Sequence, residues 1–385
     1  LISGLLFLFV AQILTPQGRD FFMTRIIQLR NRAKLPLALF FSLFLSFLLA
    51  TLFSVDPSFS FWGDPGRSGG FLTLSFYFLF ALLAFFMIRP ADWRKVWDAV
   101  LVAGIGVAII ALFQQFGDGE RPASTLGSTL FLGSYMLFLT FLALCFLFGE
   151  QNRKKRYFYL ASLLLFFLVT LLTESRAAYI GLAAGSLYFL FLLPTVRMVK
   201  ARIFLGLFLL TLALTSSIFI MSSRFSLDML SREPRPSAWK VSLEALQERP
   251  ILGYGLENFS IGFDQFFDPA LPNFQTILPT APTTWWDRAH NIFLDIGVSS
   301  GVLTLMFYVA LLGVLFFQLR KRKSIAAHGI QTALLAYLVA NFFSFDTFPT
   351  YFLFFLSIAY SLSLIATNQP AQTKISPIWN KLGQY

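Results

Sequence analysis

The chain is predicted to be all-α, a polytopic bundle of transmembrane helices with one large extracytoplasmic loop that contains short helices. Three observations predict this. Only 13% of the 385 residues are charged while 57% are hydrophobic, against about 25% charged in an ordinary soluble domain. Apolar runs of about twenty residues, the length that crosses a bilayer core, recur along the whole chain. Strands are excluded from such a setting because open sheet edges have no partner in lipid.

Taken in order, eleven spans are expected, at 1–15, 35–53, 71–88, 96–115, 125–148, 157–173, 177–193, 203–221, 291–318, 328–345 and 350–366. The first stretch, Leu1 to Leu14, is short of the roughly 30 Å core and reads as a truncated helix. Four regions follow: N-terminal membrane helices over 1–221, an outer loop over 222–290, C-terminal membrane helices over 291–366, and a cytoplasmic tail over 367–385. Within the loop, "RPSAWKVSLEALQE" (235–248) predicts a helix, with Pro236 in its first turn and Trp239, Leu243 and Leu246 on one face. That pattern fits a helix lying flat on the membrane. Pro250, Gly253 and Gly255 then end it. The loop's aromatic residues, among them Phe259, Phe263 and Trp286, predict an ordered, packed segment rather than a structureless one.

Charge sets the orientation. Twenty-one of the 30 basic residues fall in alternate connections, from Arg19 through Arg153–Arg156 to Lys381. By the positive-inside rule those connections are cytoplasmic. The other set holds nine basic residues and fifteen of the 19 acidic ones. The net charge of +11 is thus an orientation signal, and no nucleic-acid partner is expected. The single cysteine, Cys145, permits no internal disulfide and reads as a small buried apolar residue. The spans hold almost no ionisable groups, which counts against an ion-coupled transporter. Chemistry is expected at the outer surface.

Four outer stretches carry cations beside a helix start: Arg67 in "WGDPGRSGG", Arg176 in "TESRAAYIG", Arg235 in "RPSAW", and Arg288 in "DRAHN". A guanidinium at headgroup depth binds phosphate by forked, charge-assisted hydrogen bonds. His290 is the only outer histidine, and the start of a helix disfavours its charged form. It is therefore a candidate general base, with Asp295 and Asp287 both close enough to orient its ring. Glu174 reads as the neighbour of Arg176. "GDGE" (117–120), with Asp118 and Glu120, lacks the further ligands a metal site needs, so no metal and no cofactor is expected.

"TESRAAYIG", "RPSAWKVSLEALQERPILGYGLENF" and "RAHNIFL" together resemble the three outer motifs of the O-antigen ligase and polymerase superfamily. The matching residues are Ser175-Arg176, Arg235 with Trp239, Pro250 with Gly253 and Gly255, and His290-Asn291. "FWGDPGRSGGFLT" and "RPASTLGSTLFLGSYM" look like the family's earlier segments, so the resemblance runs from about 60 to 380. Ser128, Ser299 and Thr304 stand where the family often has Asn, Glu and Gly. The resemblance implies a bacterial inner-membrane enzyme of twelve spans in the full chain, one more than the eleven counted here, acting on the extracytoplasmic face. It implies a metal-independent, inverting glycosyl transfer from an undecaprenyl-diphosphate-linked glycan to the hydroxyl of a glycolipid, glycan or protein, in contact with membrane lipids. Arg67, Arg176, Arg235 and Arg288 would hold the diphosphate, His290 would be catalytic, and Ser175, Trp239 and Asn291 would support them. Three readings compete with ligation: repeat-unit polymerisation, protein O-glycosylation, and a flippase or transporter of lipid-linked sugars.

Overall fold

The computed structural model describes residues 2–67, 69–119, 121–192, 235–268, 286–322 and 324–367. The span expected at 203–221, most of the cytoplasmic tail, and parts of the outer loop, Trp285 included, lie outside the described residues. What is described is helical, with no strand among the described residues.

Nine helices precede the gap at 193–234: α1 (Ile2–Leu14), α2 (Pro16–Arg32), α3 (Lys34–Leu52), α4 (Pro57–Trp62), α5 (Phe71–Met87), α6 (Trp93–Asp118), α7 (Thr129–Gly149), α8 (Arg153–Leu172) and α9 (Arg176–Leu192). Then come α10 (Arg235–Glu248), α11 (Phe259–Phe266), α12 (Ile292–Lys321), α13 (Ile325–Asn341) and α14 (Phe348–Ala366). Among the described residues six helices are long and apolar enough to cross a membrane: α3, α6, α7, α8, α12 and α14. Three shorter apolar helices, α1, α5 and α13, accompany them. The chain is a multi-pass membrane protein.

The central helix is α7. Every residue from Leu132 to Phe148 is buried, as expected of a helix apolar on all sides. It packs on α8, α9 and α13. Helices α9 and α13 approach closely because Gly181 and Gly185 of α9 lie against Ala336 of α13, where a Cβ would collide. Around this centre α12 packs on α3, and α14 packs on α5 and α2.

Three features were not read from the sequence. The basic connection at 16–34 is itself largely a helix, α2, started by Thr15 as N-cap and Pro16 in its first turn. Its Arg25 is no solvated orientation charge. It is 1% exposed, donates to the Phe85 carbonyl from Nε and Nη2, and reaches Ser363. Helix α10 has the expected bounds, and it packs on the protein through its small residues. Ala238, Val241, Ser242 and Ala245 are buried, with Trp239 and Leu246 beside them, while Leu243 is exposed. Small residues let α10 sit closely on α11 and α12, and close packing outranks side-chain hydrophobicity in choosing the face.

The third feature lies within the span expected at 291–318, which α12 covers. Helix α12 is broken at Gly301, whose φ of 79° and ψ of 170° are open only to glycine. The segment Pro250–Gly255 lies against the break. The Tyr254 and Gly255 N–H groups donate to the Val298 and Ser299 carbonyls at 2.9 and 2.8 Å, and the Val302 N–H donates to the Pro250 carbonyl at 2.7 Å. Backbone groups that a break would leave orphaned are thereby paired. The described part of the connection at 222–290 has a core of its own, where Tyr254, Phe259, Phe263 and Trp286 pack with Ala238 and Val298.

Candidate functional site

The site forms where residues 286–291 enter α12. Asn291 is the N-cap, its Oδ1 accepting from the Phe293 and Leu294 N–H groups at 3.0 and 3.2 Å. The Ala289 peptide is held from both sides: its N–H donates to Asp295 Oδ1 at 2.5 Å, and its carbonyl accepts from Trp239 Nε1 at 2.9 Å. Arg288 and His290 therefore flank a fixed peptide. The fixing comes from α10 on one side and the first turn of α12 on the other.

His290 has φ +49°, a left-handed conformation uncommon outside glycine. Its ring stands edge-on to Trp286 and to Phe345, with centroids 5.5 and 5.1 Å away. Nδ1 is buried and has no hydrogen-bond partner among the described residues. Burial pushes the imidazole down to about 4, helped by the charges of Arg235, Arg67 and Arg288. The ring is thus neutral at pH 7 with a ring nitrogen uncommitted. Neither aspartate orients it: Asp295 is engaged by the Ala289 N–H, and Asp287 is ion-paired with Arg67.

The three arginines differ. Arg67 is half-exposed and lies over the Phe345 ring, 5.4 Å from its centroid. Arg235 opens α10. Arg288 is mostly buried and ion-paired with the almost fully buried Glu257. Burial works against its charge, but Glu257 and then Asp295 outweigh that cost and hold its pKa above the usual value. Glu257 also has a left-handed backbone, φ +65°. Arg176 is exposed at the start of α9 and lies outside the lining of the cavity described next. Ser175 is buried and accepts from the Ala178 N–H at 3.3 Å, starting that helix. Glu174 lies 3.7 Å from Arg121, which also holds the Thr173 carbonyl.

Beside Phe345 and Arg288 a cavity of about 540 Å³ opens between α3, α5, α12 and α14, within the range of small-molecule sites. Arg67, Glu257, Arg288, Asp295 and Asp346 all contribute to its wall. Asp346, in the connection between α13 and α14, accepts from Tyr337 Oη and from Asn341 Nδ2 at 2.9 Å. Burial raises it to about 6 despite these bonds.

Sequence reasoning missed Glu257, Phe345 and Asp346 as site residues. Two signals were available. Glu257 follows a pair of glycines that turn the chain sharply, and Asp346 is a lone acid in the aromatic run "NFFSFDTFPT". A carboxylate at a span's end amid phenylalanines is a buried carboxylate.

Residues 160–309 match the family model described as O-antigen ligase. The matched stretch contains the turn before α9, all of α10, and His290 with the first half of α12. The resemblance read from the three outer motifs is borne out. No curated protein matches the chain.

Proposed function

For an O-antigen ligase-like, glycosyltransferase-like membrane protein, we propose transfer of a glycan from an undecaprenyl-diphosphate carrier to an acceptor hydroxyl, on the extracytoplasmic face of the bacterial cytoplasmic membrane. The observation that carries this reading is His290: a neutral imidazole with a free Nδ1, held at a helix start among Arg67, Arg235 and Arg288.

The chemistry follows from these parts. His290 accepts the proton of the acceptor hydroxyl as that oxygen attacks the anomeric carbon. The bond from that carbon to the diphosphate oxygen breaks, and its electron pair leaves on the diphosphate. Attack opposite the leaving group inverts the anomeric centre. A diphosphate is a weak base and leaves without a proton. It needs cations near its developing charge, and Arg67, Arg235 and Arg288, with Arg176, supply them. Charge stabilisation by arginine makes a metal unnecessary. Ser175, Asn291 and Trp239 position the helix starts and the Arg288–His290 segment. The excess of basic residues on alternate connections supports the sidedness.

The test is incubation of the purified chain with a lipid-diphosphate-linked glycan and candidate acceptors in the presence of a chelator. Covalent transfer to a glycolipid supports ligation, transfer to a growing glycan makes the chain a polymerase, and transfer to a polypeptide makes it a protein O-oligosaccharyltransferase. Movement of the lipid across a bilayer without any transfer would replace the enzyme reading by a flippase.

A further inference from the structure

The walls of the cavity differ chemically. Ser299 and Ser300, on the last turn of α12 before the break, are 3% and 0% exposed and line the cavity. Both hydroxyls lack a hydrogen-bond partner, and so does Asp295 Oδ2, one turn earlier on the same wall. Three buried, unpartnered oxygens on residues that line one space are costly unless something hydrogen-bonds them there. The opposite wall is aromatic. The Tyr77 ring stacks on Tyr351 and Phe355 with centroids 5.3 and 5.6 Å away, and all three line the cavity.

The wall chemistry selects among occupants. A phosphate beside the serines would meet the Asp295 carboxylate one turn away, whereas Arg67 and Arg288, elsewhere on the cavity wall, are the cations assigned above to the diphosphate. A prenyl chain would leave the three oxygens unpaired. A neutral polyhydroxyl group supplies O–H donors to Asp295 and both donors and acceptors to the serines, and its apolar face fits the tyrosine wall. We propose that this chamber between α3, α5, α12 and α14 is a saccharide subsite, bounded by Ser299, Ser300 and Asp295 on one side and Tyr77 and Tyr351 on the other. It rests on the transferase reading only for the source of the sugar, which is either the donor glycan or the acceptor.

The experiment compares the wild-type chain and S299A/S300A, both full-length in lipid nanodiscs, for equilibrium binding of three probes. These are farnesyl diphosphate, farnesyl diphosphate bearing one N-acetylhexosamine, and a free N-acetylhexosamine disaccharide. Loss of two hydroxyl hydrogen bonds should weaken a sugar-bearing probe about tenfold and leave farnesyl diphosphate unchanged. Weakening confined to the sugar-bearing lipid assigns the chamber to the donor; weakening confined to the disaccharide assigns it to the acceptor. Equal weakening of farnesyl diphosphate, or unchanged binding of all three, overturns the subsite. Tyr77→Leu, on the other wall, provides the same comparison if the double variant does not fold. A wild-type chain that binds sugar through these serines yet transfers nothing would defeat the transferase reading and leave the subsite standing.

Discussion

At the scale of single residues, the charge state of His290 is the feature that decides most. Burial and three arginines favour the neutral ring down to about pH 4. In the free protein the base form is therefore kept as pH falls, and the acid limb of kcat/KM should lie near 4, below the usual 6.5 of histidine. A bound diphosphate offsets the arginine charge and raises the imidazole pKa, so the acid limb of kcat should lie at higher pH. Coincident limbs near 6.5 would contradict this. His290→Ala should slow transfer by about 10²–10⁴-fold with donor affinity nearly intact, and His290→Gln should not restore it, because an amide accepts no proton. Wild-type turnover in either variant would remove His290 from the chemistry. Arg288 carries a second prediction. Glu257→Gln leaves a mostly buried guanidinium without its counter-charge and should cost roughly 3–5 kcal/mol of stability. If donor diphosphate takes the place of Glu257, the rise in Tm on adding donor should be larger in this variant than in wild type. An equal or smaller rise would make Arg288–Glu257 a purely internal brace.

At the scale of elements, the break in α12 sets the geometry. A Cβ at Gly301 would run into the Ile251 carbonyl, and the left-handed φ excludes most residues as well. Gly301→Ala should destabilise the protein by roughly 2–4 kcal/mol, measured as Tm in detergent; an unchanged Tm would show that the loop and helix part easily there. Six of the expected spans were legible in the sequence as helices long and apolar enough to cross a bilayer, because a bilayer demands long apolar runs. The break was not, because one glycine in "SSGVL" looks like any tolerated helix glycine. Its partners, Pro250–Gly255, lie about fifty residues earlier, and no local pattern links the two. The face of α10 that packs on the protein was not legible for a related reason. Ranking side chains by hydrophobicity favours Leu243, whereas the contact is made by Ala238, Ser242 and Ala245. The candidate site was half legible. His290, Asn291 and Trp239 stand out by residue type and position, but Glu257 and Asp346 became site residues only once their partners were known.

For the whole molecule, the expected orientation is open to a direct test. The native Cys145 is buried and contributes no background to thiol labelling. Asp264→Cys, at an exposed position on α11, should react with a membrane-impermeant reagent applied from outside, and Arg153→Cys at the start of α8 should not. The reverse pattern would invert the molecule and remove the outer-face reading.

The insertion of Pro250–Gly255 beside Gly301 also bears on how the protein is made. Synthesis runs from the N-terminus, so residues 250–255 leave the ribosome before Gly301 is translated. The part of α12 from Val302 to Lys321 is about 30 Å long, enough to cross a bilayer by itself. Nascent α12 therefore needs no continuous helix to insert: the segment that completes its backbone pairing at the break already exists when the glycine emerges. Moving Pro250–Gly255 to the C-terminus by circular permutation would reverse that order, and α12 would enter the membrane with unpaired carbonyls at Val298 and Ser299 until the end of the chain arrived.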